Sequence, residues 1–410
     1  MLGRVLNTHQ QWLCRNLADL GYTVTRQVAV ADTGRDIEQA VREALSRAEL
    51  VITTGGLGPT SDDLTRDLIA QLLGRTLRED AAIVQHIAQF FVTRKRAMPA
   101  STRVQALVPE GAIVLANPHG TAPGLAMEVR PNPFRGDGKP SWLIMLPGPP
   151  RELRPMFIDE VVPLIQRVMP TESAFVCRTL RTTGIGESVV QEKIEPQLQH
   201  LVGSGLDLGY CARTGQVDVR LAASGSDASR LVQEAEAIVR GELGSFIFGA
   251  DDDELENVIV HLLIERKQTL ALAESCSGGC IAHRITNVPG ASAVLLAGLV
   301  TYSNEAKQKF LGVRAETLAE HGAVSEPVVR EMAEGARQQN GADFALSVTG
   351  IAGPSGGTPV KPVGTVFIGL AKASGTIVKK NFNPYDRETF KQVTANQALE
   401  LLRQKILAAS

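Results

Sequence analysis

Apolar and polar positions along the chain recur with two periods. In NTHQQWLCRNLADLG, Trp12, Leu13, Leu17 and Leu20 fall at helical spacing, and Gly21 ends the run as a glycine does past a helix C-terminus. YTVTRQVAV then alternates and reads as a strand. GRDIEQAVREALSRA is an amphipathic helix with Asp36 in capping position, and ELVITTGG is a short buried strand that runs straight into glycines. WLIMLPG ends the same way, and PNPFRGDGKPSW (131–142) is a polar Pro/Gly hairpin tip or loop. Strand and helix in alternation predict an α/β unit, a parallel sheet with helices on both faces.

Near residue 170 the pattern changes. FVCRTLRTTGIG and QVDVRLAASG alternate as strands, with helices over ESVVQEKIEPQLQHL and SDASRLVQEAEAIVRGELG. These make a small α+β module. The acidic run ADDDELENV opens a new helix, where carboxylates suit the N-terminal end. Strand–helix alternation then resumes. TLALAES, ASAVLLAGLVTY, FALSVTG and KPVGTVFIGLA are strands; GGCIAHRITNV, NEAKQKFLG, SEPVVREMAEGARQQN and ETFKQVTANQALELLRQKILA are helices. The expected domains are 1–168, 169–250 and 251–410.

Composition narrows the classes. At 410 residues, two to four domains are expected. With 42 basic and 44 acidic residues the net charge is −2, so no basic footprint for nucleic acid is present. No apolar run is long enough to span a bilayer, and the first residues lack a signal-peptide core. Five scattered cysteines fit a reducing cytoplasm better than a disulfide framework. No CxxC or HExxH spacing suggests zinc.

Two glycine-rich strand ends carry candidate chemistry. In TTGGLGPTSDD (53–63), Gly55, Gly56 and Gly58 allow a backbone to approach a phosphate, Thr60 and Ser61 can cap the next helix, and Asp62 and Asp63 can hold a divalent cation. A tight turn before a capped helix explains the same residues. NPHGTAPG (117–124) and LPGPPRE (146–152) add two more such loops, which suggests one crevice. GGLGPTSDD, NPxGTAPG and LPGPPRE together resemble the molybdopterin-binding-like domain of the competence-damage-inducible protein A (CinA) family. The resemblance implies a nucleotide site at Gly55, Gly56, Gly58, Asp62 and Asp63. It also implies metal-dependent hydrolysis of the pyrophosphate of ADP-ribose. Members of that family begin with a buried strand and an STGDEL-like loop ahead of the LxGxxxNTNxxWL helix. This chain starts at MLGRVLNTHQQWL, so either its start is placed too late or the domain lacks its first strand, and weak or absent pyrophosphatase activity is expected of the sequence as given.

The second strand end is AESCSGG (273–279). Ser275 falls on a strand-to-helix turn whose amides can hold an oxyanion or phosphate, and Gly278 and Gly279 permit close approach of a substrate. A turn with Ser277 as helix cap explains the stretch equally well. A serine nucleophile needs a base. His283, eight residues on, points elsewhere, and His321 gives no usable spacing. Lys307 in TYSNEAK lies in the first turns of a helix capped by Ser303, where a cation is disfavoured and its pKa falls. A lone lysine there also reads as a surface residue, and Tyr302 as a core-edge aromatic. Gly353-Pro354-Ser355-Gly356-Gly357 matches a nucleophile elbow in letters only, because loop and strand follow it instead of a helix.

AESCSGG, TYSNEAKQKFLGV, HGAVSEPVV, SVTGIAGPSGG and KPVGTV follow one another in the order of the CinA C-terminal domain. That resemblance implies nicotinamide mononucleotide (NMN) amidohydrolase activity without a cofactor. By it Ser275 is the nucleophile, Lys307 the base and Tyr302 an assistant. It also makes Arg387, in NPYDRE, a nucleotide-binding residue, although Tyr385 replaces the usual glycine of that turn. Thr349 and Gly350, at the end of FALSVTG, are placed to contact ribose or phosphate, Cys276 to pack, and Ser277 to cap. The resemblance further implies a homodimer. The alternatives are ADP-ribose pyrophosphatase activity in the first domain, or a non-catalytic nucleotide-binding scaffold.

Overall fold

A computed structural model describes residues 7–170 and 175–408, which divide into two units, 1–173 and 174–410. The opening MLGRVL, on which the missing-strand expectation rests, lies outside the described residues.

Unit 1 contains α1 (Thr8–Asp19), α2 (Gly34–Leu45), β1 (Leu50–Thr54), α3 (Thr65–Leu72), β2 (Leu77–Glu79) and α4 (Ala81–Thr93). It continues with β3 (Leu107–Pro109), β4 (Ile113–Leu115), β5 (Gly124–Val129), β6 (Ser141–Leu146), α5 (Pro150–Met156) and α6 (Val162–Val168). Its main sheet has the order β1-β6-β5-β4. β1 and β6 are parallel, while β5 and β4 run antiparallel, so the sheet is mixed. Side chains alternate across β6. Ile144 and Leu146 join the core with α1 and α5, whereas Leu143 and Met145 join the core with α2 and α3. Helices on both faces were expected, and residues 131–140 form the loop of the β5–β6 hairpin.

The strand expected over YTVTRQVAV does not form. Residues 22–31 are irregular, with Val24 and Val28 36% and 53% exposed. Among the described residues β1 is the sheet edge and this segment does not pair with its free side, so alternation alone does not make a strand.

Unit 2 opens with an antiparallel sheet, β7 (Phe175–Thr183), β8 (Asp207–Arg213), β9 (Gln216–Ser224) and β10 (Ile247–Ala250), in the order β10-β7-β9-β8. Helices α7 (Glu187–Val202) and α8 (Ala228–Leu243) bury their apolar faces on it. There follow α9 (Leu255–Glu265), β11 (Leu270–Glu274), α10 (Cys280–Thr286), β12 (Leu295–Val300), α11 (Asn304–Leu311), α12 (Ala315–His321) and α13 (Glu326–Asn340). The chain ends with β13 (Phe344–Gly350), β14 (Thr365–Lys372), β15 (Gly375–Phe382) and α14 (Arg387–Leu407). The five-stranded sheet has the order β12-β11-β13-β14-β15. β11 lies between β12 and β13, parallel to both, and every one of its residues is buried. Its side chains alternate: Leu270 and Leu272 face the core built with α9, α10 and α14, and Ala271 and Ala273 face α13. No helix among the described residues is long and apolar enough to cross a membrane.

Candidate active site

Parallel strands expose their ligand-binding ends at the carboxyl side, and the all-buried β11 delivers Ser275 there. The Ser275 amide donates to the Val348 carbonyl at 3.1 Å, so the serine begins its turn still tied to β13. Gly278 and Gly279 take φ of +62° and +93°, the left-handed region that a side chain would strain.

The turn is organised by a residue the sequence reading passed over. Glu274 is fully buried and its carboxylate accepts four hydrogen bonds: Ser277 Oγ at 2.7 Å, Gly279 N at 3.0 Å, Ile281 N at 3.1 Å and Ala282 N at 2.8 Å. The last three are amides that the start of α10 leaves unpaired, and a carboxylate neutralises them. Ser277 is therefore not the helix cap. It donates to Glu274, and the cap position is Gly279. The amides of 279, 281 and 282 are accordingly taken and do not face a substrate. A glutamate closing an apolar strand just before a helix start was the available signal.

Ser303 Oγ accepts from the Ala306 amide at 3.1 Å and caps α11 as expected. One turn on, Lys307 is only 1% exposed. Its Nζ donates to Ser275 Oγ at 3.1 Å, to the Thr301 carbonyl at 2.8 Å and to the Tyr302 carbonyl at 3.4 Å. No carboxylate pairs with it among the described residues. Burial pulls the Lys307 ammonium below its ordinary range, against a smaller opposing pull from Cys276. The lowering matches expectation, but its leading cause is burial. Cys276 is buried beside it, and burial pushes its thiol up to about 12, which leaves no thiolate to compete with Ser275. His283 hydrogen-bonds Asn287 on its own helix and stands apart from the pair.

The other expected residues gather around the same strand ends in different ways. Tyr302 is 61% exposed, and its hydroxyl accepts from Arg387 Nη2 at 2.7 Å. Neither Ser275 nor Lys307 touches that hydroxyl. Arg387 also donates to the Gly353 carbonyl at 2.8 Å, which ties the first turn of α14 to the 351–364 loop. Ser355 lies in that loop, with no helix after it. Thr349 is buried across from Ser275 on β13, and its hydroxyl donates to the Ala323 carbonyl at 2.9 Å. Gly350 is needed for packing: a Cβ there would lie 2.8 Å from the Thr365 carbonyl oxygen and 3.1 Å from Phe390 Cζ.

In unit 1 the three glycine-rich loops do meet. The Gly55 amide donates to the Leu146 carbonyl at 2.9 Å, and Asn117 Nδ2 donates to the buried Glu152 carboxylate at 2.9 Å. Gly56, at φ +70°, has Thr65 Oγ1 2.0 Å from where a Cβ would stand, and Gly58 has the Asp63 carboxylate 2.3 Å from that point. Thr60 and Ser61 do not cap α3, which starts later, at Thr65. Thr60 is bound instead to Asp63, whose carboxylate accepts the Thr60 amide at 3.0 Å and the Thr60 hydroxyl. A cation at Asp62 and Asp63 would therefore find one exposed carboxylate, with the other turned into its own loop. Among the described residues no group of three or more His, Cys, Asp or Glu side chains is placed to enclose an ion.

Three family models match the sequence: "Probable molybdopterin binding domain" over residues 1–167, "Damage-inducible protein CinA KH domain" over 177–249 and "CinA C-terminal domain" over 252–406. A CinA-like protein of Akkermansia muciniphila is 42% identical over 400 residues, covering 97% of this chain and 93% of that one. A CinA-like protein of Gemmatimonas aurantiaca is 40% identical over 408 residues, covering 98% and 93%. A crystal structure of a competence-damaged protein (CinA) superfamily protein from Klebsiella pneumoniae is 36% identical. It covers 38% of this chain and 96% of its own, with a TM-score of 0.37. Similarity at this level along nearly the whole length establishes that the chain belongs to the CinA family, with a molybdopterin-binding-like N-terminal domain, a KH-like middle domain and a CinA C-terminal domain.

Proposed function

We propose that Ser275 and Lys307 hydrolyse the carboxamide of NMN, giving nicotinic acid mononucleotide and ammonia. The observation that carries this reading is the 3.1 Å contact between the Lys307 amine and the Ser275 hydroxyl, at a buried lysine without an acidic partner. Such an amine loses its proton more readily than a solvated one and can then accept the serine's. Ser275 Oγ attacks the carboxamide carbon while its proton passes to Lys307 Nζ. The tetrahedral intermediate collapses as Lys307 returns that proton to the amide nitrogen, the C–N bond breaks, and ammonia leaves. Water then attacks the ester, giving its proton to Lys307. The acid is released, and the proton returns to Ser275. This route draws on no cofactor.

The test is to incubate the full chain with NMN and with ADP-ribose, each with and without a divalent cation, and to identify the products. Ammonia and nicotinic acid mononucleotide from NMN without metal are expected. Intact NMN under every condition rejects the reading. Metal-dependent cleavage of ADP-ribose in unit 1 is the second reading. It is favoured by the meeting of three glycine-rich loops, and AMP release requiring Asp62 and a cation would support it.

A further inference from the structure

The first turns of α14 carry two cations where helix electrostatics favours anions. Arg387 is the first residue of the helix and Lys391 stands four residues later, so both side chains lie on one face. Like charges at that spacing repel, and cations near a helix N-terminus oppose its dipole. Asp386 at the N-cap and Glu388 in the first turn offset this in part, but neither forms an ion pair with Arg387 or Lys391 among the described residues. Arg387 donates only to two uncharged oxygens, those of Gly353 and Tyr302. Lys391 is half-buried and has no hydrogen bond or ion pair among the described residues. Of the acids around them, Asp386 caps α14 through the amides of Glu388 and Thr389, Glu274 is spent on the start of α10, and Glu388 makes no ion pair among the described residues.

Lys391 also has a definite place. Its Nζ is 3.6 Å from where a Cβ on Gly278 would stand, so it hangs over the exposed glycine three residues past Ser275. Arg387, one turn before Lys391, is tied to the exposed Tyr302 hydroxyl and to the Gly353 carbonyl. Two cations without an ion pair on one face of a helix start, one of them over the nucleophile turn, suit an anionic ligand. Local rules are broken in this way where function requires it. A doubly charged phosphate monoester matches two cations, with Arg offering a planar fork and Lys a point charge.

We propose that Lys391 is a specificity-determining residue that, with Arg387, receives the phosphate of the substrate and selects the nucleotide over the unphosphorylated nucleoside. For the identity of the substrate this rests on the amidase reading above. The experiment compares wild type, Lys391→Met and Lys391→Arg as full chains on NMN and on nicotinamide riboside, with ribose 5-phosphate binding measured by calorimetry. In Lys391→Met the ratio of kcat/KM for NMN over that for nicotinamide riboside falls on the order of 10- to 100-fold, the worth of one charge-assisted hydrogen bond, with the loss mainly in KM. Lys391→Arg restores most of it, and ribose 5-phosphate binding weakens in Lys391→Met. An unchanged ratio, or equal losses on both substrates, overturns the role of Lys391 while leaving the amidase reading intact. Binding of ribose 5-phosphate that depends on Lys391, in a chain releasing no ammonia from NMN, rejects the amidase reading and keeps the phosphate site. A chain that does neither rejects both.

Discussion

TTGGLGPTSDD in unit 1 and AESCSGG in unit 2 are the same kind of object in the sequence: an apolar strand, glycines, hydroxyl residues, a carboxylate, then a helix. The structure gives their carboxylates opposite environments. Asp63 folds back in an exposed loop and holds Thr60, keeping the loop closed on itself. Glu274 is buried and holds the amides of the following helix, which fixes the turn and leaves the Ser275 hydroxyl to another partner. That partner, Lys307, comes from a helix that follows a different strand. Glycines and hydroxyls are thus common to both loops, and the buried amine distinguishes the one in unit 2.

The strongest way to break the comparison is to remove the amine. Lys307→Met should lower ammonia release from NMN by at least about 10³-fold, as should Ser275→Ala, because members of a nucleophile–base unit fail together. Cys276→Ala should cost less than about tenfold, since a buried thiol is not the attacking group. Lys307→Met exchanges a buried amine for an apolar side chain but leaves the Thr301 carbonyl without its donor, so its melting temperature should fall by only a few degrees, and a chain that stays folded separates lost chemistry from lost folding. A Lys307→Met chain that keeps its turnover would dissolve the distinction between the loops.

A second measurement reads the environment of that amine. Attack requires Lys307 to be neutral, and burial lowers its pKa, so the neutral fraction grows as pH rises through a value below the ordinary lysine range. The acid limb of kcat/KM for NMN should climb about tenfold per pH unit and level off before an exposed lysine would titrate. A limb that keeps rising into the ordinary lysine range would mean the amine is solvated when it acts.

Smaller still is the effect of the carboxylate beneath the turn. Glu274→Gln keeps the shape of the side chain but sets an amide donor against helix amides that also donate. It should cost about 2–3 kcal/mol and lower the melting temperature by roughly 5–10 °C. Activity should fall with it as the Ser275 turn loosens.

Much of this was legible from the letters, for physical reasons that vary along the chain. β11 and its turn were readable because four apolar residues followed closely by Gly278 and Gly279 leave few alternatives. Ser303 capping α11 was readable because caps are local. The role of Ser277 differs because a hydroxyl before a helix caps it only when no carboxylate outcompetes it, and Glu274 does; Thr60 and Ser61 do not cap because α3 starts beyond them, at Thr65. The missing strand at residues 22–31 shows the same limit: its alternation was real, but a strand also needs a neighbour. The burial of Lys307, and its reach to Ser275 across 32 positions, depend on the β11–β12 pairing, which no local pattern encodes. Lys391 was overlooked because it reads as one of many helix lysines until the glycine beneath it is seen.

The smallest expected effect tests the other half of the comparison. Asp63→Ala removes the acceptor for the Thr60 amide in an exposed loop, where such a bond contributes about 0.5–1 kcal/mol. The unfolding of unit 1 should shift down by about 1–3 °C, a size set by one lost loop bond in a unit of this length. Release of ammonia from NMN should stay within about twofold of wild type, because the Ser275 turn takes its carboxylate from Glu274 in unit 2. A large loss of amidase activity in Asp63→Ala would mean that the two strand ends are energetically coupled. The closed loop of unit 1 would then be part of what holds Ser275 ready, and not a separate site built from the same letters.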